Sequence, residues 1–255
     1  MNRIIKFVFF DIIRNKIILG YTLLLGILSW GVFGIEDNIT KGLLTILNVI
    51  LLTVPLVSII FSTIYIYNSA EFIELLISQP VKRKRIWLSL FNGLSISLIL
   101  AFLAGAGIPI LLYAPLRIGV MITLSGCLIT AVFTAIAFLS SVSTRDKARG
   151  IGVSILLWLY FALLFDGLVL FILFQLADYP IEQAMIGVSM LSPVDLARIL
   201  ILLQMDVSAM LGYTGAVFKE FFGSGIGVVL ASVFLVLWIA IPFSLSLRKF
   251  SRKDL

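Results

Sequence analysis

The chain has 255 residues, of which 61% are hydrophobic and 13% charged, with a formal net charge of +6. That charged fraction is about half of what a soluble domain carries, and the mean hydropathy is +1.18, so a soluble enzyme, a disordered segment and a secreted disulfide scaffold are excluded. The single cysteine, Cys127, excludes an internal disulfide, and the absence of histidine removes the commonest general base and metal ligand.

Residues 1–16 read as a helix lying in the membrane interface. Ile5, Val8, Phe9 and Ile12 fall on one face, and Arg3, Lys6 and Arg14 on the other. Apolar burial and attraction to anionic lipid would hold such a helix flat. Phe7 and Phe10 break the pattern. The apolar run after Lys16 is span-length and lacks a small-residue cleavage site, so no cleavable signal is expected.

A bilayer core of roughly 30 Å needs about 20 mostly apolar residues per helix. Six stretches qualify, at about 17–35, 43–67, 86–113, 118–142, 151–174 and 226–247. None alternates as barrel strands do, which leaves helices as the spanning structure. Six spans place both termini on one side. The segments on that side, 1–16, 68–85, 143–150 and 248–255, hold 15 of the 19 Lys and Arg. This bias predicts that both termini are cytoplasmic. It also accounts for the isoelectric point near 9.5 without nucleic acid, even at Lys82-Arg83-Lys84-Arg85.

Span two carries Asn48 and Pro55, span three Asn92 and Gly105-Ala106-Gly107, and span six Pro242. The asparagines suit interhelical hydrogen bonds, the glycines suit close helix approach, and the prolines remove backbone donors. The connection between spans two and three, residues 69–85, reads as a short amphipathic helix ended by Pro80 and followed by a basic run. Glu71 and Glu74 are expected on one side, with Phe72, Leu75 and Leu76 on the other. A rigid peg fixed to two spans can transmit force; a plain interfacial loop with orienting charge is the alternative. The connection 143–150 is too short for such a helix.

Asp166 is the one ionisable residue within a predicted span. A lone carboxylate in hydrocarbon costs several kcal/mol, so it is expected to face protein or water, as a paired group or beside a substrate path. The connection between spans five and six, residues 175–225, is long yet apolar. Ser192-Pro193-Val194-Asp195 reads as a helix start, with Ser192 as N-cap, Pro193 at the first position and Asp195 reaching back. A second helix start is expected within 213–222, and Gly223-Ser224-Gly225 as a flexible entry to the last span. An apolar segment of this size packs on the membrane surface or docks a partner.

No Walker A loop is present, and without histidine no Ser/His or Cys/His dyad forms. No catalytic residue and no bound metal or cofactor is therefore expected. Met185, Met190, Met205 and Met210 are too evenly dispersed for a Cu(I) motif and read as apolar packing.

Together these features resemble the permeases of ABC-2 type transporters. The residues carrying the resemblance are Asp11-x-x-Arg14-Asn15-Lys16, the segment 71–85 where that family has its coupling helix, and the large segment between spans five and six. Phe72-Ile73 stands where the family often has Gly-Thr. Within the family the chain is most similar to the permease of the copper-site maturation machinery of nitrous oxide reductase, used in denitrification. That likeness lies in Trp158-Leu159-Tyr160-Phe161-Ala162-Leu163-Leu164-Phe165-Asp166, in Leu191-Ser192-Pro193-Val194-Asp195-Leu196-Ala197-Arg198 and in Trp238-Ile239-Ala240-Ile241-Pro242. Ser192 replaces a typical Asn; either caps a helix.

The resemblance implies a single all-α permease domain over residues 1–255, with six transmembrane helices, an interfacial N-terminal helix and a type V exporter-like fold. It implies a homodimer in the bacterial or archaeal cytoplasmic membrane. Two cytoplasmic ABC ATPases, which bind the ATP and Mg, would dock at Glu71, Phe72, Glu74, Leu75, Leu76, Pro80, Arg83 and Arg85. A periplasmic β-helical copper-handling protein would dock at Ser192, Pro193, Asp195 and Arg198. Asp166, Asn48 and Asn92 would line a path or pair between helices. The work would move a substrate, a sulfur species or copper, or drive the outer partner; the scarcity of soft ligands argues against copper passing through this chain. An ABC-2 exporter of drug, lipid or peptide, and a membrane scaffold without transport, are the competing readings.

Overall fold

The structure is a computed structural model and describes residues 2–175, 187–205 and 225–252. All regular elements among them are helical: α1 (Asn2–Ile13), α2 (Lys16–Ile35), α3 (Ile39–Asn68), α4 (Ala70–Ile77), α5 (Arg83–Phe102), α6 (Ile108–Tyr113), α7 (Leu116–Ser143), α8 (Lys147–Leu159), α9 (Phe165–Gln175), α10 (Pro193–Gln204) and α11 (Gly225–Arg252). A π-helical turn, Leu103–Gly107, joins α5 to α6, and a second, Tyr160–Leu164, joins α8 to α9. Six segments are long and apolar enough to span a bilayer: Lys16–Ile35, Ile39–Asn68, Arg83–Tyr113, Leu116–Ser143, Lys147–Val169 and Val228–Arg252. Most reach a few residues further than the apolar runs predict. Helical hydrogen bonding continues into the headgroup zone, where Lys and Arg snorkel.

Side-chain caps set several helix starts. Asn15 Oδ1 accepts from Ile17 N at 2.9 Å and Asn38 Oδ1 from Thr40 N at 3.0 Å. Asp146 Oδ1 accepts from Arg149 N at 2.8 Å, so α8 begins inside the segment expected to be loop. Each cap satisfies a donor the helix leaves orphaned.

The second, third and fourth spans form the centre, with 50%, 61% and 78% of their apolar windows buried; the first, fifth and sixth, at 22%, 22% and 17%, flank them. An aromatic cluster knits α5, α7 and α11. Trp87 stacks on Phe250 at 4.1 Å between centroids and meets Phe138 edge-on, while Phe91 packs on Phe243 at 4.2 Å. The buried Trp87 indole donates to Ser246 Oγ at 2.8 Å. Gly105 lets α2 cross the third span closely, because a Cβ there would stand 2.7 Å from the Thr22 carbonyl oxygen.

The structure adds a protein contact to the N-terminal helix. Val8 and Ile12 are fully buried, and a Cβ on Gly93 of α5 would lie 2.8 Å from Val8 Cγ1. Part of the apolar face of α1 therefore packs on α5, while Phe7 and Phe10 stay 55% exposed.

Candidate functional site

Two places combine charge with an unusual local structure, one at each end of the bundle. At the end that carries α1 and the last turn of α11, called here the basic end, α3 passes into α4 through Ser69. Ser69 ends α3 and precedes α4, and its N–H donates to the Tyr65 carbonyl at 2.9 Å. Helix α4 stops at Ile77, where Ser78 N donates to the Glu74 carbonyl and Ser78 Oγ to the Leu75 carbonyl. Pro80 lies three residues beyond. Ile73 and Leu76 are buried beneath α4, and Phe72 is half-buried. Glu71, Glu74, Leu75 and Ser78 face outward, the i, i+3, i+4, i+7 stripe of one helix face. Leu75, 65% exposed, therefore belongs with the two glutamates; the expectation that it joins Phe72 and Leu76 is corrected, and Ile73 takes its place.

One contact braces this helix from α1, and a second ties α1 to α3 beside it. Phe7 of α1 stacks on Phe72 at 5.0 Å, and Tyr65 donates to Asp11 Oδ2 at 3.1 Å. An aromatic pair adds about 0.5–1.5 kcal/mol and a hydrogen bond to a charged group about 1.5–3 kcal/mol. Phe7, the residue that broke the amphipathic pattern of α1, is thus the one that braces α4. Beside α4 opens a cleft of about 400 Å³ lined by Glu74, Tyr67, Trp87, Thr144, Arg145 and Phe250 among others. Arg85 is exposed next to it in sequence and Arg83 is half-buried.

At the far end Asp166 pairs with Arg198, whose Nη1 also reaches Asp195 Oδ1 at 3.3 Å. The π-helical turn Tyr160–Leu164 lies immediately before Asp166 and resets the rotation of the helix. Asp166 lies in the first turn of α9, which continues to Gln175. Helix α10 starts as expected, with Ser192 Oγ accepting from Asp195 N at 3.2 Å and Pro193 in the first turn. The capping box does not close, because the Asp195 carboxylate turns to Arg198. Burial first, and then the hydrogen bond and charge of Asp166, push Asp195 up to about 8, against the pull of Arg198.

This geometry corrects the docking assignment at Ser192, Pro193 and Asp195. All three are buried, and Val194, Leu196, Ala197, Leu200 and Ile201 behind them are 0–2% exposed. Helix α10 inserts its apolar face into its own bundle, against α7, α11 and α3, because that removes more apolar surface from water than lying on the membrane. Arg198 is half-exposed. Trp238 Nε1 donates to the Met190 carbonyl at 3.1 Å and ties the segment before α10 to the last span.

Between the two ends runs a buried polar seam. Thr63 of α3 meets Ser154 of α8 at 2.7 Å, and Ser154 meets Ser140 of α7 at 2.9 Å. Trp158 Nε1 donates to the Leu52 carbonyl at 3.1 Å. Tyr67 bonds the Thr144 hydroxyl and carbonyl at the basic end. Span five is thereby fastened to α3 from the basic end toward the middle. No sequence pattern marks these single hydroxyls among the many Ser and Thr of the spans. Asn48 is exposed and Asn92 half-buried, and neither makes a side-chain hydrogen bond among the described residues. Met190 and Met205 pack against the apolar core. Met185, Met210, the helix start expected within 213–222 and Gly223-Ser224 lie outside the described residues.

Residues 35–255 match the family model described as ABC-2 family transporter protein. The chain belongs to that family. Helix α4 lies within the matched range, between the second and third spans. Two curated relatives agree over most of the chain. One is "Probable ABC transporter permease protein NosY" of Stutzerimonas stutzeri, 26% identical over 267 aligned positions that cover 95% of each chain. The other carries the same name in Pseudomonas aeruginosa, 27% identical over 221 positions, 78% of this chain and 80% of the relative. The ABC-2 chain is thus a permease subunit of an ABC transporter.

Proposed function

We propose that this permease is the membrane part of an ATP-driven complex that serves assembly of the copper sites of nitrous oxide reductase. Two copies pair in the membrane. Two ABC ATPase subunits, which hold ATP and Mg, dock on α4 from the cytoplasm. A β-helical copper-handling protein sits over the far end in the periplasm. The copper assignment is supported by the likeness at residues 158–166, 191–198 and 238–242 and by the relatives named NosY.

The observation that carries the reading is the construction of α4. A short helix presents two carboxylates and a leucine outward while its other side buries Ile73 and Leu76 and stacks Phe72 on Phe7. Such a helix moves as one piece with α3, since Ser69 serves both. A push on Glu71, Glu74 and Leu75 is delivered to α3, crosses to span five at Thr63–Ser154 and Trp158–Leu52, and arrives at Asp166. There the ion pair with Arg198 connects span five to α10, the element that packs on α7 and α11. Two discrete states of that outer pairing, joined and separated, would turn nucleotide-driven motion into a change at the far end.

The test is purification of the tagged chain from native membranes with identification of its bound subunits, alongside nitrous oxide-dependent growth of a deletion strain. An ATPase, a periplasmic partner and lost growth are expected. An ATPase without a periplasmic partner, with growth intact, would move the chain to the exporter of drug, lipid or peptide.

A further inference from the structure

We propose that the groove between the inner ends of α5 and α11 binds the phosphate headgroup of an anionic phospholipid from the leaflet at the basic end. The groove has a volume of about 470 Å³ and is lined by Lys84, Ser244, Leu247, Arg248, Ser251 and Arg252. Three cations line it and, among the described residues, no carboxylate does. Lys84, Arg248 and Arg252 form no ion pair among the described residues. Three like charges gathered from two helices repel one another and are stabilised by an anion seated between them.

The walls are fixed. On the opposite side of α11, Ser246 accepts the Trp87 indole hydrogen bond and Phe250 stacks on Trp87, so the two helices cannot splay when a ligand enters. The hydroxyls of Ser244 and Ser251 bond backbone carbonyls of their own helix, those of Ile241 and Arg248. Charge is therefore the selecting force among the described lining residues.

The apolar half of the ligand is also provided for. Ile241 and Leu245, 55% and 42% exposed, stand above Arg248 and Arg252 on one helical stripe at i, i+4, i+7 and i+11. An acyl chain lies along the first pair while its phosphate sits at the second, the arrangement expected of a basic pocket at a headgroup boundary. This sorts the cations of the basic end by role. Lys147 donates to Asn68 and Lys249 to Ser143; these two are occupied by protein.

Naming the leaflet rests on the cytoplasmic orientation proposed above, whereas binding itself does not depend on it. The experiment uses the full chain purified in a neutral detergent. Phosphatidylglycerol and phosphatidylcholine are added in turn, and retained lipid is counted by native mass spectrometry. Wild type is expected to retain phosphatidylglycerol preferentially. Arg248→Gln with Arg252→Gln is expected to lower that preference at least about fivefold, and Lys84→Gln alone to lower it by a smaller factor. Lys16→Gln with Lys82→Gln, the same charge change elsewhere, leaves it unchanged. Each variant is first checked for an unaltered Tm. Equal loss in the control pair would mean diffuse surface charge and would overturn the proposal. So would displacement of the lipid by inorganic phosphate at equal concentration, or retained lipid preference combined with loss of a co-purifying acidic protein.

Discussion

Asp195 gives the far-end cluster a pH signature that can be worked out in advance. Burial, with the nearby Asp166, pushes its carboxyl up to about 8. When α10 leaves the bundle the carboxyl regains water and an ordinary value near 4. Between about pH 4 and about pH 8 the docked state therefore holds a proton that the undocked state has released. Docking is strongest below that window, weakens as pH rises through it, and has lost the whole contribution above about 8. The slope is at most about 1.4 kcal/mol per pH unit, so a rise from about pH 6 to about 7.5 removes up to about 2 kcal/mol. That is roughly a thirty-fold increase in the opening equilibrium. Hydrogen exchange at the amides of α10, corrected for base catalysis, reads this opening directly. Asp195→Asn is neutral at every pH and keeps a donor for Asp166, so its corrected rates are expected to be flat. A wild-type slope of zero, or the same slope in Asp195→Asn, would refute the reasoning.

Other consequences are measured by thermal unfolding in detergent. Gly105→Ala forces a methyl to within 2.7 Å of the Thr22 carbonyl and should cost about 1–3 kcal/mol; Gly31→Ala, with nothing within 4 Å of its added Cβ, should be neutral or stabilising. Ser246→Ala leaves the buried Trp87 indole without its acceptor and should cost about 1–3 kcal/mol. Arg198→Met leaves Asp166 and Asp195 facing each other without a cation. Because Arg198 and Asp166 are 28% and 30% exposed, the loss should fall between the exposed and buried limits, about 1–3 kcal/mol. Adding Asp166→Asn should recover part of it.

The six spans, the cap at Ser192 and the existence of α4 were legible in the sequence because apolar run length, capping residues and a proline after an amphipathic turn are local signals. The partner of Asp166 was not. It lies 32 residues away on an element predicted to face outward, and only the tertiary placement of α10 joins them. The facing of α4 went astray at Leu75 for a different reason. Its apolar character outweighed the i, i+4 spacing from Glu71. The contact of α1 with α5 was not legible, because an apolar stripe does not say that Gly93 receives Val8. Phe7 was visible as an anomaly, and anomalies of that kind are where a second contact is to be sought. The π-helical turns left no mark in hydropathy, since both lie within uninterrupted apolar runs.

The central claim is that α4 receives work from a separate ATPase. Its most direct test is ATP hydrolysis by the cognate ATPase reconstituted with this permease in lipid, comparing wild type with Glu71→Arg plus Glu74→Arg. Both side chains are exposed, so insertion and Tm should stay as in wild type. The account predicts that the variant loses association with the ATPase and the permease-dependent part of hydrolysis. Hydrolysis coupled as in wild type, with the reversed charges in place, would contradict it.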